Sequence, residues 1–66
     1  MAEPEVAAML TGRELEVALL VSCGVSNKEA ARQLSLSVRT VENHVQRVYA
    51  KLGVSRRGEL ALALGR

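Results

Sequence analysis

The chain has 66 residues, with nine basic and seven acidic side chains, one cysteine, one histidine, one tyrosine, and neither phenylalanine nor tryptophan. A single domain of this size buries only about 60% of its unfolded surface. One cysteine cannot close an internal disulfide, and one Cys with one His cannot ligate a structural zinc, so an aliphatic core has to hold the fold. No apolar run approaches the roughly 20 residues of a membrane span, and "MAEPEVAA" has no basic region ahead of a long apolar stretch, so neither membrane contact nor a signal peptide is expected. The lone cysteine fits a reducing cytoplasm. Charge is unevenly placed: residues 1–16 carry four glutamates against Arg13, a balance of −3, and residues 17–66 carry eight basic against three acidic side chains, a balance of +5. A basic C-terminal portion points to a polyanionic partner.

Residues 1–9 read as a flexible lead-in, with Pro4 discouraging regular structure, and residues 10–66 as one domain. Four helix starts follow, each opening on Ser or Thr. In "TGRE", Thr11 and Glu14 have capping-box spacing, and the helix that follows stops near Ser22 or Cys23 because Gly24 is a natural terminator. In "SNKE", Ser26 and Glu29 have the same spacing and open a helix to about Leu34. After the short link "SL", Ser37 opens a third helix through Leu52, ended by Gly53, and Ser55 opens a fourth through about Leu64. The final "ELALALG" alternates like a strand, but Ala and Leu favour helix and β-branched residues are missing there. As a helix, it puts Leu60 and Leu64 on one face and Leu62 nearly opposite. The expected fold is all-α and tetrahelical. A two-turn helix, a tight turn plugged by Leu36 and a longer helix match the helix-turn-helix layout.

The third helix, residues 37–52, divides cleanly. At about 100° per residue, Val41, Val45, Val48 and Leu52 fall within roughly 60° of one another and should face the core. Arg39, Asn43, Gln46 and Ala50 fall opposite. Glu42 lies on one flank near Tyr49, and Thr40, His44, Arg47 and Lys51 on the other. A helix lodged in the major groove needs this division, because Asn and Gln can pair with adenine, Arg with guanine, and flanking basic groups with phosphates. A polar face on an ordinary surface helix is the plainer reading, and the short preceding helix and the basic balance weigh against it.

Four blocks, "LTGRELEV" (Leu10 to Val17), "GVSNKEAARQL" (Gly24 to Leu34), "SVRTVENHV" (Ser37 to Val45) and "KLGVSRR" (Lys51 to Arg57), resemble the LuxR/GerE-type helix-turn-helix family of bacterial transcription regulators. The resemblance runs over about residues 10–64. It implies sequence-specific binding of double-stranded DNA and transcription regulation, with the second and third helices as the helix-turn-helix and the fourth as a dimerisation element. Matched position by position, it implies that Ser26, Asn27 and Lys28, with Thr40 and Lys51, meet the phosphate backbone, and that Glu42, Asn43 and Gln46 face the groove. Arg39 joins the base-facing set and Arg47 the phosphate-facing set by their places on the helix. Many family members carry Lys or Arg where Glu42 stands. The "TVENH" variant is similar to that of actinobacterial members with large sensor regions. Ala18 and Ala30 replace larger aliphatics and imply a leaner core, and Leu15 and Leu19 stand at positions usually polar.

Several residues keep two readings. Leu15 and Leu19 are either scattered surface leucines or a docking stripe for a regulatory domain or partner. His44 is either a half-buried structural histidine or a phosphate contact or pH switch. Tyr49 is a packing residue, and Cys23 lacks the neighbours of a redox sensor. Arg56 and Arg57 are either a solvated pair or a phosphate contact, and Leu62 is either a dimer contact or a chance exposed leucine. Glu42 has three roles open: accepting from cytosine N4, orienting Arg39 or Gln46, or repelling phosphates. There is no nucleophile–base–carboxylate set, Gly-rich phosphate loop or metal cluster, so no enzyme, cofactor or metal is expected. The expected assembly is a homodimer on inverted half-sites in the cytoplasm, as the output end of a larger regulator, with RNA polymerase or an attached regulatory domain as further partners. A complete small regulator is the other reading of the "MAEPE" start. The rival function is a helical protein-interaction module docking through the same long helix.

Overall fold

A computed structural model describes residues 9–65; residues 1–8, most of the expected lead-in, and Arg66 lie outside them. Four helices follow in order: α1 (Gly12–Ser22), α2 (Asn27–Leu34), α3 (Val38–Leu52) and α4 (Arg57–Ala63), with no strand among the described residues. None of these helices is long and apolar enough to cross a membrane.

The starts follow from local chemistry. The Glu14 N–H donates to Thr11 Oγ1 at 3.1 Å and the Thr11 N–H donates to Glu14 Oε1 at 3.0 Å, completing the capping box of α1. Ser26 and Ser37 cap α2 and α3 by accepting from the Glu29 and Thr40 N–H groups, each at 3.1 Å. The expected box at α2 forms only by half. The Glu29 carboxylate turns instead to the Arg32 guanidinium and the Gln33 amide, because a bidentate, charge-assisted pair is stronger than one backbone amide. The fourth helix starts one residue later than expected. Arg56 is its N-cap and supplies no side-chain bond, while the Ser55 N–H donates to Glu59 Oε1 at 2.7 Å.

The stops of α1, α2 and α3 share one geometry. Gly24, Ser35 and Gly53 all take positive φ, and the residue after each donates its N–H back five residues: Val25 to Leu20 O, Leu36 to Ala31 O and Val54 to Tyr49 O. This is the Schellman closure. Two of its left-handed residues are the glycines read from the sequence. The third is Ser35, at φ 59°, in the turn between α2 and α3. A side chain there carries a steric cost that glycine avoids.

Helix α1 is the hub and packs against α3, α4 and α2, while α2 and α4 also pack on α3. The core consists of Leu10, Val17, Ala18, Val21, Ala30, Ala31, Val41, Val48, Leu60 and Leu64. Ala18 and Ala30, at 1% and 0% exposure, sit in its middle, so the lean positions bring helices close together. Leu15 and Leu19 are half-buried and pack against this core. They are packing residues with one edge in solvent, which neither surface reading of them anticipated.

Candidate nucleic-acid interface

The inner face of α3 is fixed by Val41 and Val48, which are fully buried, and by Val45 and Leu52, packed at their margins. Tyr49 packs at the same margin. That anchoring turns Arg39, Glu42, Asn43, Gln46, Arg47 and Ala50 outward, all exposed. Among the described residues, none of the four expected base-facing side chains, Arg39, Glu42, Asn43 and Gln46, makes a side-chain hydrogen bond or ion pair. They are brought together and left uncommitted. Glu42 accordingly orients neither Arg39 nor Gln46 in the free domain.

The electrostatics of α3 differ from those of its neighbours. The first turn of α1 carries Glu14, that of α2 Glu29 and that of α4 Glu59, whereas α3 carries no acid in its first turn. The partial positive charge at its N-terminus is therefore uncompensated, and Arg39 adds to it. This is a poor arrangement for an isolated helix and a favourable one beside phosphates.

The expected phosphate-facing residues divide into two groups. Ser26 and Lys28 are exposed and Asn27 half-exposed at the start of α2. Ser26 Oγ accepts the capping bond, so its hydroxyl proton remains available to a phosphate. Thr40 is similar, since its Oγ1 accepts from the Ser37 hydroxyl at 2.9 Å and keeps its own proton to donate. Arg47 is exposed and makes no ion pair among the described residues. Lys51 is different, because its ammonium donates to Glu14 Oε1 at 2.7 Å.

This ion pair was invisible in the sequence, where Glu14 reads only as the back half of a cap. Its side chain is 4% exposed and Lys51's is 38% exposed, so the acid is sheltered and the base forms its lid. The same carboxylate oxygen accepts from the Lys51 ammonium and the Thr11 N–H, and together with the nearby positive charge of Arg47 these hold the carboxyl below its ordinary value of 4.5. One residue thus fastens the start of α1 to the last turn of α3. Lys51 retains two ammonium protons, but its charge is already balanced within the domain. The Glu29 carboxyl is likewise lowered, by Arg32 and then Gln33, and the Arg32 guanidinium is raised in return.

His44 is half-buried, with Nδ1 buried and lacking a hydrogen-bond partner among the described residues, a cost that a purely structural role does not explain. Cys23 is exposed at the end of α1. On α4, Leu60 and Leu64 are buried and Leu62 is 77% exposed, matching the opposed faces expected from their spacing.

A short helix capped on Ser26, a Schellman turn and a longer helix held by its valines, all braced by α1 and α4, define a tetrahelical helix-turn-helix domain. The chain belongs to the luxR family of bacterial regulatory proteins (GerE), whose pattern matches residues 8–64. It is 51% identical over 51 residues to a Mycobacterium bovis protein assigned as an HTH-type transcriptional regulator, an overlap of 77% of this chain and 6% of that protein. It is 43% identical over 58 residues to the monoamine regulon transcriptional regulator of Klebsiella aerogenes (88% of this chain, 26% of that protein). With a response regulator of Synechocystis sp. it shares 52% identity over 50 residues (76% and 22%). The chain therefore spans about a quarter or less of these three relatives.

Proposed function

We propose that this domain binds double-stranded DNA sequence-specifically, with α3 in the major groove and the start of α2 on the phosphate backbone, and so serves as the output unit of a bacterial transcription regulator. The observation that carries this reading is the outer face of α3. Its base-reading side chains are exposed and free of internal partners, on a helix whose first turn lacks the acid that the other three helices have. Asn43 and Gln46 each supply a paired donor and acceptor, and Arg39 paired donors, for base edges, with Glu42 at their flank. Ser26, Asn27, Lys28, Thr40 and Arg47 fix orientation on phosphates, and Lys51 adds a weaker contact because Glu14 shares its charge. Leu62 is the contact through which two copies meet on inverted half-sites. The mycobacterial and Synechocystis relatives are far longer than this chain, which supports an output unit attached to regulatory regions; a DNA target puts its action in the cytoplasm. The activity is binding, not catalysis.

Selection of bound sequences from random duplexes tests this and should return a site with two inverted half-sites. On that site, Asn43→Ala should cost about 1–3 kcal/mol, concentrated at particular base pairs, while Lys28→Ala should weaken binding to all sequences alike. Affinity should also fall by about 0.9 log unit per phosphate contact for each decade of salt. Salt-insensitive binding to a protein with no binding to duplex DNA would replace this reading with the protein-interaction module.

A further inference from the structure

Val38 is the one exposed valine among the described residues. Every other described valine lies in the core or packs against it, whereas Val38 is 39% exposed and belongs to neither group. It does not take part in the entry to the helix: the cap belongs to Ser37, and the positions that form a hydrophobic staple around such a cap are Leu36, packed on the core, and Val41, inside it. A β-branched residue is also a poor helix former. Its place on α3 is nevertheless specific. It is the first helical residue, one turn before Glu42 and two before Gln46, so the three form one ridge that runs from the edge of the valine seam, in line with Val45, out to the exposed face. The N-terminal residues of a recognition helix are the ones that reach base edges. The major groove offers one apolar feature to such a side chain, the C5-methyl group of thymine.

We propose that Val38 is a specificity-determining residue that packs against the C5-methyl of a thymine at the edge of each half-site. The inference rests on the DNA-binding reading above and adds to it the chemistry of one base. One turn of helix separates Val38 from Glu42, about 6 Å, or about two base steps at 3.4 Å each. The thymine therefore lies within about two base pairs of the position that Glu42 approaches. In this arrangement the ridge presents a methyl-binding surface, then an acid that repels phosphates, then an amide that pairs with a base edge.

The test replaces thymines of the selected duplex, one at a time, with deoxyuridine, which removes the methyl group and nothing else. The wild-type chain should lose about four-fold in affinity at one thymine per half-site, the value of burying one methyl-sized group. The Val38→Ala variant should bind the parent duplex about four-fold more weakly and be insensitive to deoxyuridine at that same position, while keeping its losses elsewhere. Alanine is the better helix former, and an unchanged far-ultraviolet circular dichroism spectrum and urea midpoint separate loss of contact from loss of fold. If no thymine methyl matters to the wild type, or if Val38→Ala stays as sensitive as the wild type, the inference is overturned while sequence-specific binding stands. If no duplex is selected at all, the DNA reading falls and takes this inference with it.

Discussion

Leu60 and Leu62 stand two residues apart on α4 and should behave oppositely when truncated. Leu60 is 1% exposed and Leu62 77% exposed. Helix α4 has seven residues, too few to hold together alone, and its N-cap contributes no side-chain bond. It is kept in place by burying Leu60 and Leu64 against the core. Leu60→Ala removes the larger part of that anchor and leaves a cavity, at a cost of about 2–5 kcal/mol. The middle of that range, about 3 kcal/mol, is a large share of the total stability, which for a chain of this length is about 3–10 kcal/mol. Leu62→Ala removes almost no buried area and should stay within about 0.5 kcal/mol of the parent.

Urea unfolding followed by circular dichroism reads the difference directly. With a slope of about 1 kcal/mol per molar for so small a domain, Leu60→Ala should move the midpoint down by about 3 M, and Leu62→Ala by less than about 0.5 M at protein concentrations low enough to exclude self-association. The same Leu62→Ala chain should keep its affinity for one half-site and lose binding to the paired site. Equal midpoints for the two variants, or a Leu60→Ala midpoint indistinguishable from the parent, would refute the assignment of faces on α4 and with it the argument for Leu62 as the contact between copies.

Three further outcomes follow from the same structure. Ser37→Ala removes the cap of α3 and should cost about 1 kcal/mol, read as a lowered urea midpoint, whereas Ser55→Ala, whose hydroxyl caps nothing, should not; matching losses would count against the capping assignment. Because the Lys51 ammonium and the Thr11 N–H lower the Glu14 carboxyl below 4.5, its stabilisation is complete above that value and disappears as pH falls through the lowered one. Unfolding midpoints of Glu14→Gln should therefore fall less steeply than the parent's below about pH 5, and parallel curves would remove Glu14 from the account. Glu42→Gln should raise affinity for all duplexes by about five-fold, since one unit charge near a phosphate in water is worth about 1 kcal/mol; a changed preference at one cytosine with no general gain would mean that Glu42 reads a base instead.

Much of this fold was legible because its helix boundaries are written locally. Thr11, Ser26 and Ser37 cap where their spacing says they should, and Gly24 and Gly53 stop two helices for the steric reason that singles glycine out. What escaped the sequence depends on tertiary context. Ser35 takes a left-handed conformation that nothing in serine advertises, because the turn between α2 and α3 demands it. Leu15 and Leu19 read as surface residues because they stand at positions usually polar in the family, but α1 packs against three other helices and buries a wider arc. The Glu14–Lys51 pair joins residues 37 apart in sequence, and no local pattern encodes a contact at that distance.

The candidate site was legible for the complementary reason. In so small a domain most side chains have a structural task that can be named: valines and leucines fill the core, serines cap, Glu14 fastens α1 to α3, and Glu29 holds Arg32. Removing those residues from α3 leaves Val38, Arg39, Glu42, Asn43, Gln46 and Arg47, and on α4 it leaves Leu62. Each is exposed, and none makes an ion pair within the domain. An uncommitted residue is ordinarily unremarkable, since surfaces are full of them. On α3 the uncommitted set is chemically mixed, containing an aliphatic at the edge of the valine seam and two guanidiniums, two amides and one acid that the seam turns toward solvent. A solubilising face would need only charge. The mixture of an apolar contact, paired amides and guanidiniums on a helix anchored by the core behind it suits discrimination among base edges.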